Sequence, residues 1–171
     1  MRLAARAGSP RWSVRALESF DDAQARAFAR LAETTHPGAT RMLAACAEWL
    51  REHDKGDGRI IPLPLLVLDE DAHPALLLPM MLWHRSGLRH VLPARHRDAP
   101  KALTRAACPL PRPGLALSEL EARAILHAVI AKLPPADLLT IALPRPGAHA
   151  LSWRGLLHLL SSRLRGETAR E

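Results

Sequence analysis

Two apolar runs, residues 60–68 (IIPLPLLVL) and 75–83 (ALLLPMMLW), are parted only by the polar stretch DEDAHP, and both contain proline. Runs of this length suit a buried strand or a buried helical segment. Pro62, Pro64 and Pro79 decide between them, because each would remove a helical hydrogen bond and clash with the preceding turn. A β-hairpin closed across residues 69–74 is therefore expected, with a sheet at the centre of the fold. Proline also withdraws a donor from the ladder, so bulges or edge positions are expected at Pro64 and Pro79.

The rest of the chain supplies partners for that hairpin. Residues 12–17 (WSVRAL) alternate and read as a short strand with Trp12, Val14 and Ala16 inward. Asp21 and Asp22 offer an N-cap for a helix to about Glu33, with Ala27, Phe28 and Leu31 on one side and Pro37-Gly38 after it. A second helix, Thr40 to His53, puts Leu43, Cys46, Trp49 and Leu50 at helical spacing before the Gly-rich break at 55–58. Residues 85–113 read mostly as loop, with 88–92 (LRHVL) as a third strand. Ser118 and Glu121 form an S-x-x-E capping box for a helix whose apolar face is Leu126, Val129, Ile130 and Leu133, stopped by Pro134-Pro135. Residues 137–143 (DLLTIAL) read as a strand of buried type. In residues 152–165, Trp153, Leu156, Leu157, Leu160 and Leu164 share one face of an amphipathic helix and are candidate partner contacts. The fold class is α/β (α+β), a mostly antiparallel sheet flanked by helices. Its expected organisation is a tail at 1–11, one domain at 12–149, and a terminal helix and tail at 150–171.

Composition narrows the function classes. In 171 residues, 48% hydrophobic and 24% charged content fits a globular domain and argues against wholesale disorder. Two cysteines, Cys46 and Cys108, are too few for a disulfide framework and are not spaced for zinc, which fits a reducing, cytoplasmic setting. The first twelve residues carry arginines and no apolar run of the signal-peptide kind. No apolar stretch approaches the ~18 residues of a membrane span, so no transmembrane segment is expected.

Arginine makes 21 of the 24 basic residues behind the net charge of +7. In residues 85–112 the charges are Arg85, Arg89, Arg95, Arg97, Lys101, Arg105 and Arg112 against Asp98 alone. Arg85, Arg89, Arg95 and Arg97 are candidate anion or substrate contacts, since guanidinium binds phosphate or carboxylate bidentately. Nucleic acid is a weaker candidate partner, because no aromatics interleave the arginines to stack bases. His84, His90 and His96 recur at even spacing, but no nearby carboxylate or thiolate cluster completes a metal site, so none is expected. Cys46 reads as core, and Cys108 has no adjacent histidine to make it a nucleophile. Walker, dinucleotide, nucleophile-elbow and zincin motifs are all absent, and no catalytic residue can be named.

Residues 64–92 (PLLVLDEDAHPALLLPMMLWHRSGLRHVL) resemble a segment of the cellulose-biosynthesis-type acetyltransferase family of the GNAT superfamily. In that family a P-L-L-V-V strand is followed by a short turn, an A-L-L-P-L strand, a basic stretch and G-L-R-x-L. Pro64 to Leu68, Leu77 to Met80, Arg85, Gly87 to Arg89, Val91 and Leu92 occupy those places. Residues 108–144 are similar to the family's P-L segment, its helix ending in L-P-P-A-D and its L-x-L-x-x-L-P strand, although Cys108 stands where members often carry Asp or Tyr. The likeness spans about residues 12–144, the N-terminal half of a typical member.

The resemblance implies a GNAT-like half domain linked to polysaccharide or envelope-polymer biosynthesis, in proteins whose C-terminal half binds acyl-CoA. Such binding uses an R/Q-x-x-G-x-G/A loop whose free N–H groups hold the pyrophosphate at a helix N-terminus. Residues 84–89 (HRSGLR) come nearest, with one glycine and no helix after it. No cofactor site is therefore expected in this chain. Three functional classes stay open: an incomplete or non-catalytic acyltransferase-like domain; a basic module binding nucleic acid, an anionic surface or a partner protein; and an acyltransferase completed by a second acyltransferase half or by homo-oligomerisation.

Overall fold

A computed structural model describes residues 12–141 apart from Lys55 and Asp57. Along the chain run β1 (Ser13–Ala16), α1 (Ala23–Ala32), α2 (Ala39–His53), β2 (Ile60–Leu68), β3 (Pro74–Arg85), β4 (Leu88–Pro93), β5 (Arg95–His96), β6 (Arg105–Ala106), β7 (Leu110–Pro111), α3 (Glu119–Lys132) and β8 (Leu138–Leu139). The main sheet has the order β1-β2-β3-β4-β8, with β7 also pairing β3. All its pairings are antiparallel except β4 with β8, which is parallel. The fold is thus α+β, a mostly antiparallel sheet flanked by helices. No helix among the described residues is long and apolar enough to cross a membrane.

The hairpin expected from the two apolar runs forms as β2 and β3, but its prolines are accommodated otherwise than expected. Pro64 and Pro79 face each other in continuous register, and the irregularity lies at Val67/Leu68. The carbonyl of Pro64 accepts from Leu17 N–H at 2.9 Å and that of Pro79 from Ala94 N–H at 2.7 Å. Both carbonyls, and with them both missing N–H groups, therefore point away from the other strand of the hairpin. Each proline thus keeps one of the two bonds of its pair with Leu17 or Ala94 and cannot donate the other, and β1 and β4 end at that point.

Strand alternation sorts the apolar residues onto two faces. One carries Ile60, Leu66, Leu77, Met81 and Leu92, which pack against Phe28, Leu43, Cys46 and Trp49 of α1 and α2. The other carries Leu65, Val67, Leu76, Leu78, Met80 and Val91 against Ile125, Leu126 and Val129 of α3. Ile130 and Leu133 are only partly buried there.

The first helix turns a different face inward from the one its large residues suggested. Ala25, Phe28, Ala29 and Ala32 are buried, while Ala27 is exposed and Leu31 is 48% exposed. Small alanines let α1 approach its neighbours closely, and that contact outweighs the burial of one leucine. On β1, Trp12 and Val14 pack against the α3 side, but Ala16 is exposed. Gly38, at φ 88°, caps α2 without a side chain. Glu33, just past α1, supplies the missing acceptor: Oε1 takes Gly38 N–H at 2.7 Å, and Oε2 takes Thr40 N–H at 2.9 Å and its hydroxyl at 3.0 Å.

Residues 85–113 lie mostly outside regular elements, as expected, but besides the expected third strand, β4, they hold three short ones. Ser86 (φ 52°) and Gly87 (φ 80°) make a tight turn from β3 into β4, and both take the positive φ that a two-residue I′ hairpin demands. β5 and β6 then pair with each other, and β7 returns to β3 through Leu76↔Pro111 and Leu77↔Leu110. Among the described residues the last strand stands at the edge of the sheet rather than buried on both faces, with Leu138 48% exposed and Ile141 buried. Residues 142 and 143 of that expected strand, the tail at 1–11 and the amphipathic segment with Trp153, Leu156, Leu157, Leu160 and Leu164 lie outside the described residues.

Candidate functional site

The β2–β3 turn, the exit of β7 and the start of α3 meet around an open cleft of about 380 Å³, lined by Trp12, Asp69, Glu70, residues 112–116 and Glu121. That volume falls within the roughly 300–1,000 Å³ of small-ligand sites. Asp69 organises one wall. Its Oδ1 accepts from the N–H groups of Asp71 (3.1 Å) and His73 (2.9 Å), closing the turn. Its Oδ2 accepts from Arg112 Nη1 at 3.0 Å, and the same nitrogen reaches the Pro74 carbonyl at 3.4 Å. Partial burial pushes the Asp69 carboxyl up, but the Arg112 hydrogen bond, the two backbone donors and the Arg112 charge together hold it below the ordinary carboxylate value.

The opposite wall is the α3 N-terminus. Ser118 Oγ accepts from Glu121 N–H at 3.2 Å, and Glu121 Oε2 accepts from Ser118 N–H at 2.8 Å. The Ser118 hydroxyl adds a bond to Glu121 Oε2 at 2.7 Å. These side-chain and backbone bonds hold the Glu121 carboxyl below its ordinary value despite some desolvation. Glu119 also stands in the first turn, paired with Arg123.

Both carboxylates are thus ionised near neutral pH and act only as acceptors. The lining holds, among the described residues, no serine, cysteine, histidine or lysine. Among the described residues the Trp12 indole N–H is buried without a partner, Arg112 has further guanidinium N–H groups, and Glu70 adds an exposed carboxylate. The cleft thus offers both donors and carboxylate acceptors to a small polar group.

No family model matches the chain, and no curated protein or solved structure is significantly similar to it.

The four arginines singled out in the sequence are placed apart. Arg85 pairs with Leu88 and Arg89 with His84, so the two leave opposite faces of the β3–β4 hairpin. Arg85 lies over the Trp83 ring, 5.5 Å from its centroid. Arg89 is tied to Asp137: its N–H donates to Oδ2 at 2.7 Å, its Nε stands 3.5 Å from the same oxygen, and Asp137 N–H returns a bond to Arg89 O at 2.8 Å. Arg95 and Arg97 flank the buried His96, with Arg97 Nε on Thr104 Oγ1 at 3.3 Å. Arg105 pairs with Asp98 at 3.0 Å.

The three evenly spaced histidines fall on β3, β4 and β5 and do not converge. His90 Nε2 meets Thr140 Oγ1 at 2.9 Å, and burial, then the Arg95 charge, lowers its pKa. A grouping the sequence did not single out is Asp69, Asp71 and His73, whose ligand-type atoms all lie within 4.8 Å of one another. Asp69 is already engaged by backbone N–H groups and Arg112, so the cluster reads as the closure of the turn. Its i, i+2, i+4 spacing in DEDAH was the available signal; for the Asp69–Arg112 pair, bridging distant segments, there was none.

Proposed function

We propose that this chain is an acyltransferase-like domain of GNAT type that lacks an acyl-CoA site of its own. It acts as an incomplete or non-catalytic half, connected through its sequence resemblance to polysaccharide or envelope-polymer biosynthesis. The observation that carries the reading is the junction from β4 to α3. A pyrophosphate needs unpartnered N–H groups and positive potential at the helix N-terminus that follows a strand. Here that terminus is closed by the Ser118–Glu121 capping box and carries Glu119 beside it. An arriving diphosphate would meet two carboxylates where it needs donors.

The order of elements agrees with this reading: a strand, two helices, a three-stranded meander, a helix, and a strand returning parallel to β4. The family-like sequence phrases occur in the same order. The basic-module reading ranks behind it, because Arg89, Arg97, Arg105 and Arg112 are already engaged by Asp137, Thr104, Asp98 and Asp69.

Calorimetric titration of the chain with acetyl-CoA tests the proposal, and no heat of binding is expected. One-site binding of about micromolar affinity would overturn it. If an adjacent reading frame encodes a pyrophosphate loop, co-expression of the two products should restore acetyl-CoA binding to the complex and leave this chain inert alone.

A further inference from the structure

Three sulfur-bearing residues, Met42, Cys46 and Cys108, lie in one region away from the cleft. Met42 and Cys46 are one turn apart on α2, and such i, i+4 positions share a helix face. Cys46 is fully buried and Met42 packs, partly buried, against the same core cluster. The segment between β6 and β7 passes over that face, anchored by buried Ala107 and Leu110 in the same cluster. From it Cys108 directs its thiol at Met42 Sδ across 3.5 Å.

The geometry points to a soft-metal site in which Met42 Sδ, Cys46 Sγ and Cys108 Sγ bind one Cu(I) ion. Sulfurs at about 2.3 Å from one metal stand about 3.8–4.0 Å apart at tetrahedral to trigonal angles. The Cys108–Met42 approach of 3.5 Å is short of that by only a few tenths of an ångström. The ligand type selects the ion: a thioether with two thiolates suits Cu(I), whereas zinc takes four ligands and does not favour thioether. Access comes from the solvent side, where Cys108 is exposed.

Binding involves no change of oxidation state. Each Cu–S bond to a cysteine replaces an Sγ–H, and the protons pass to the buffer. The cation offsets the desolvation that raises both thiols. The site is independent of the acyltransferase reading and shares no residue with the cleft.

The full reduced chain, kept anaerobic, is titrated against the Cu(I) complex of a chromogenic bathocuproine-type chelator. The expected result is withdrawal of one equivalent of Cu(I), with a thiolate-to-copper absorption band in the near ultraviolet. Cys108→Ser and Met42→Leu, each checked for native circular dichroism, should weaken binding by more than the roughly 10- to 100-fold that losing an outer-shell partner costs. Copper left wholly with the chelator overturns the assignment. Undiminished binding by Met42→Leu or by Cys108→Ser does so too. Met42→Leu keeps the core apolar, so the test does not depend on how Cys46 variants fold.

Discussion

Arg112 and Asp69, separated by 43 positions in the chain, meet at 3.0 Å and join the exit of β7 to the β2–β3 turn. Their side chains are 34% and 19% exposed, so solvent screens the pair in part. Arg112→Ala should cost about 1 kcal/mol in urea unfolding, near the lower end for a charged hydrogen bond. Asp69→Ala should cost more, because two backbone N–H groups lose their acceptor as well.

The same carboxyl sets a pH dependence. Asp69 is held below its ordinary value of 3.8 in the folded state, so its contribution is present above that value and lost as pH falls through the lower folded pKa. The stability difference between the parent chain and Arg112→Ala should accordingly be constant near neutrality and shrink below about pH 4. A difference that persists unchanged to pH 2 would remove the ion pair as its source.

Glu33 caps α2 from outside that helix, and the Thr40 and Gly38 backbone bonds hold its carboxyl below the ordinary value. Glu33→Ala should speed amide exchange at Gly38 and Thr40 while leaving Asp54, whose N–H bonds Leu50 at the far end of α2, unchanged. Glu33→Gln should recover part of the protection, since its amide oxygen can accept one of the bonds.

Ser118→Ala removes an N-cap and should cost about 1 kcal/mol. Ser118→Asp restores an acceptor but places a further negative charge beside Glu119 and Glu121, so it should recover only part of that loss. Thermal unfolding of the three chains gives the order: parent, then Asp, then Ala.

The two thiols should react in sequence. Burial, then the neighbouring Cys108, pushes the Cys46 thiol up to about 12, so almost no thiolate exists near neutrality. An aromatic disulfide reagent should modify Cys108 in the native chain and Cys46 only after denaturant is added. Even Cys108 should react more slowly than an unstructured thiol, because its partial burial raises its pKa as well.

What the sequence disclosed was what local chemistry decides. Two proline-bearing apolar runs around DEDAHP favoured a hairpin over a helix, and Ser118 with Glu121 announced the start of α3. The face of α1 was hidden because alanine carries little hydrophobic signal; Ala25, Ala29 and Ala32 are buried by close helix approach, not by their own size. β5, β6 and β7 are two residues each and have no period to read. They exist through pairings such as His96↔Arg105 and Leu77↔Leu110, which no local window contains. The cleft was hidden for the same reason, since Trp12, Asp69, Arg112 and Glu121 come from four separate stretches.

Beyond the end of β1, the outer side of β2 is, among the described residues, an edge onto which another chain could add a strand. Pro62 faces that side, two residues from Pro64 and so with the same backbone orientation. It presents a carbonyl and no N–H, and the Pro64 carbonyl is already taken by Leu17. An incoming strand would find its register interrupted as soon as it began to pair, which is how natural sheets discourage edge-to-edge aggregation. The prolines that first identified the hairpin thus also make part of its border a poor template for self-association.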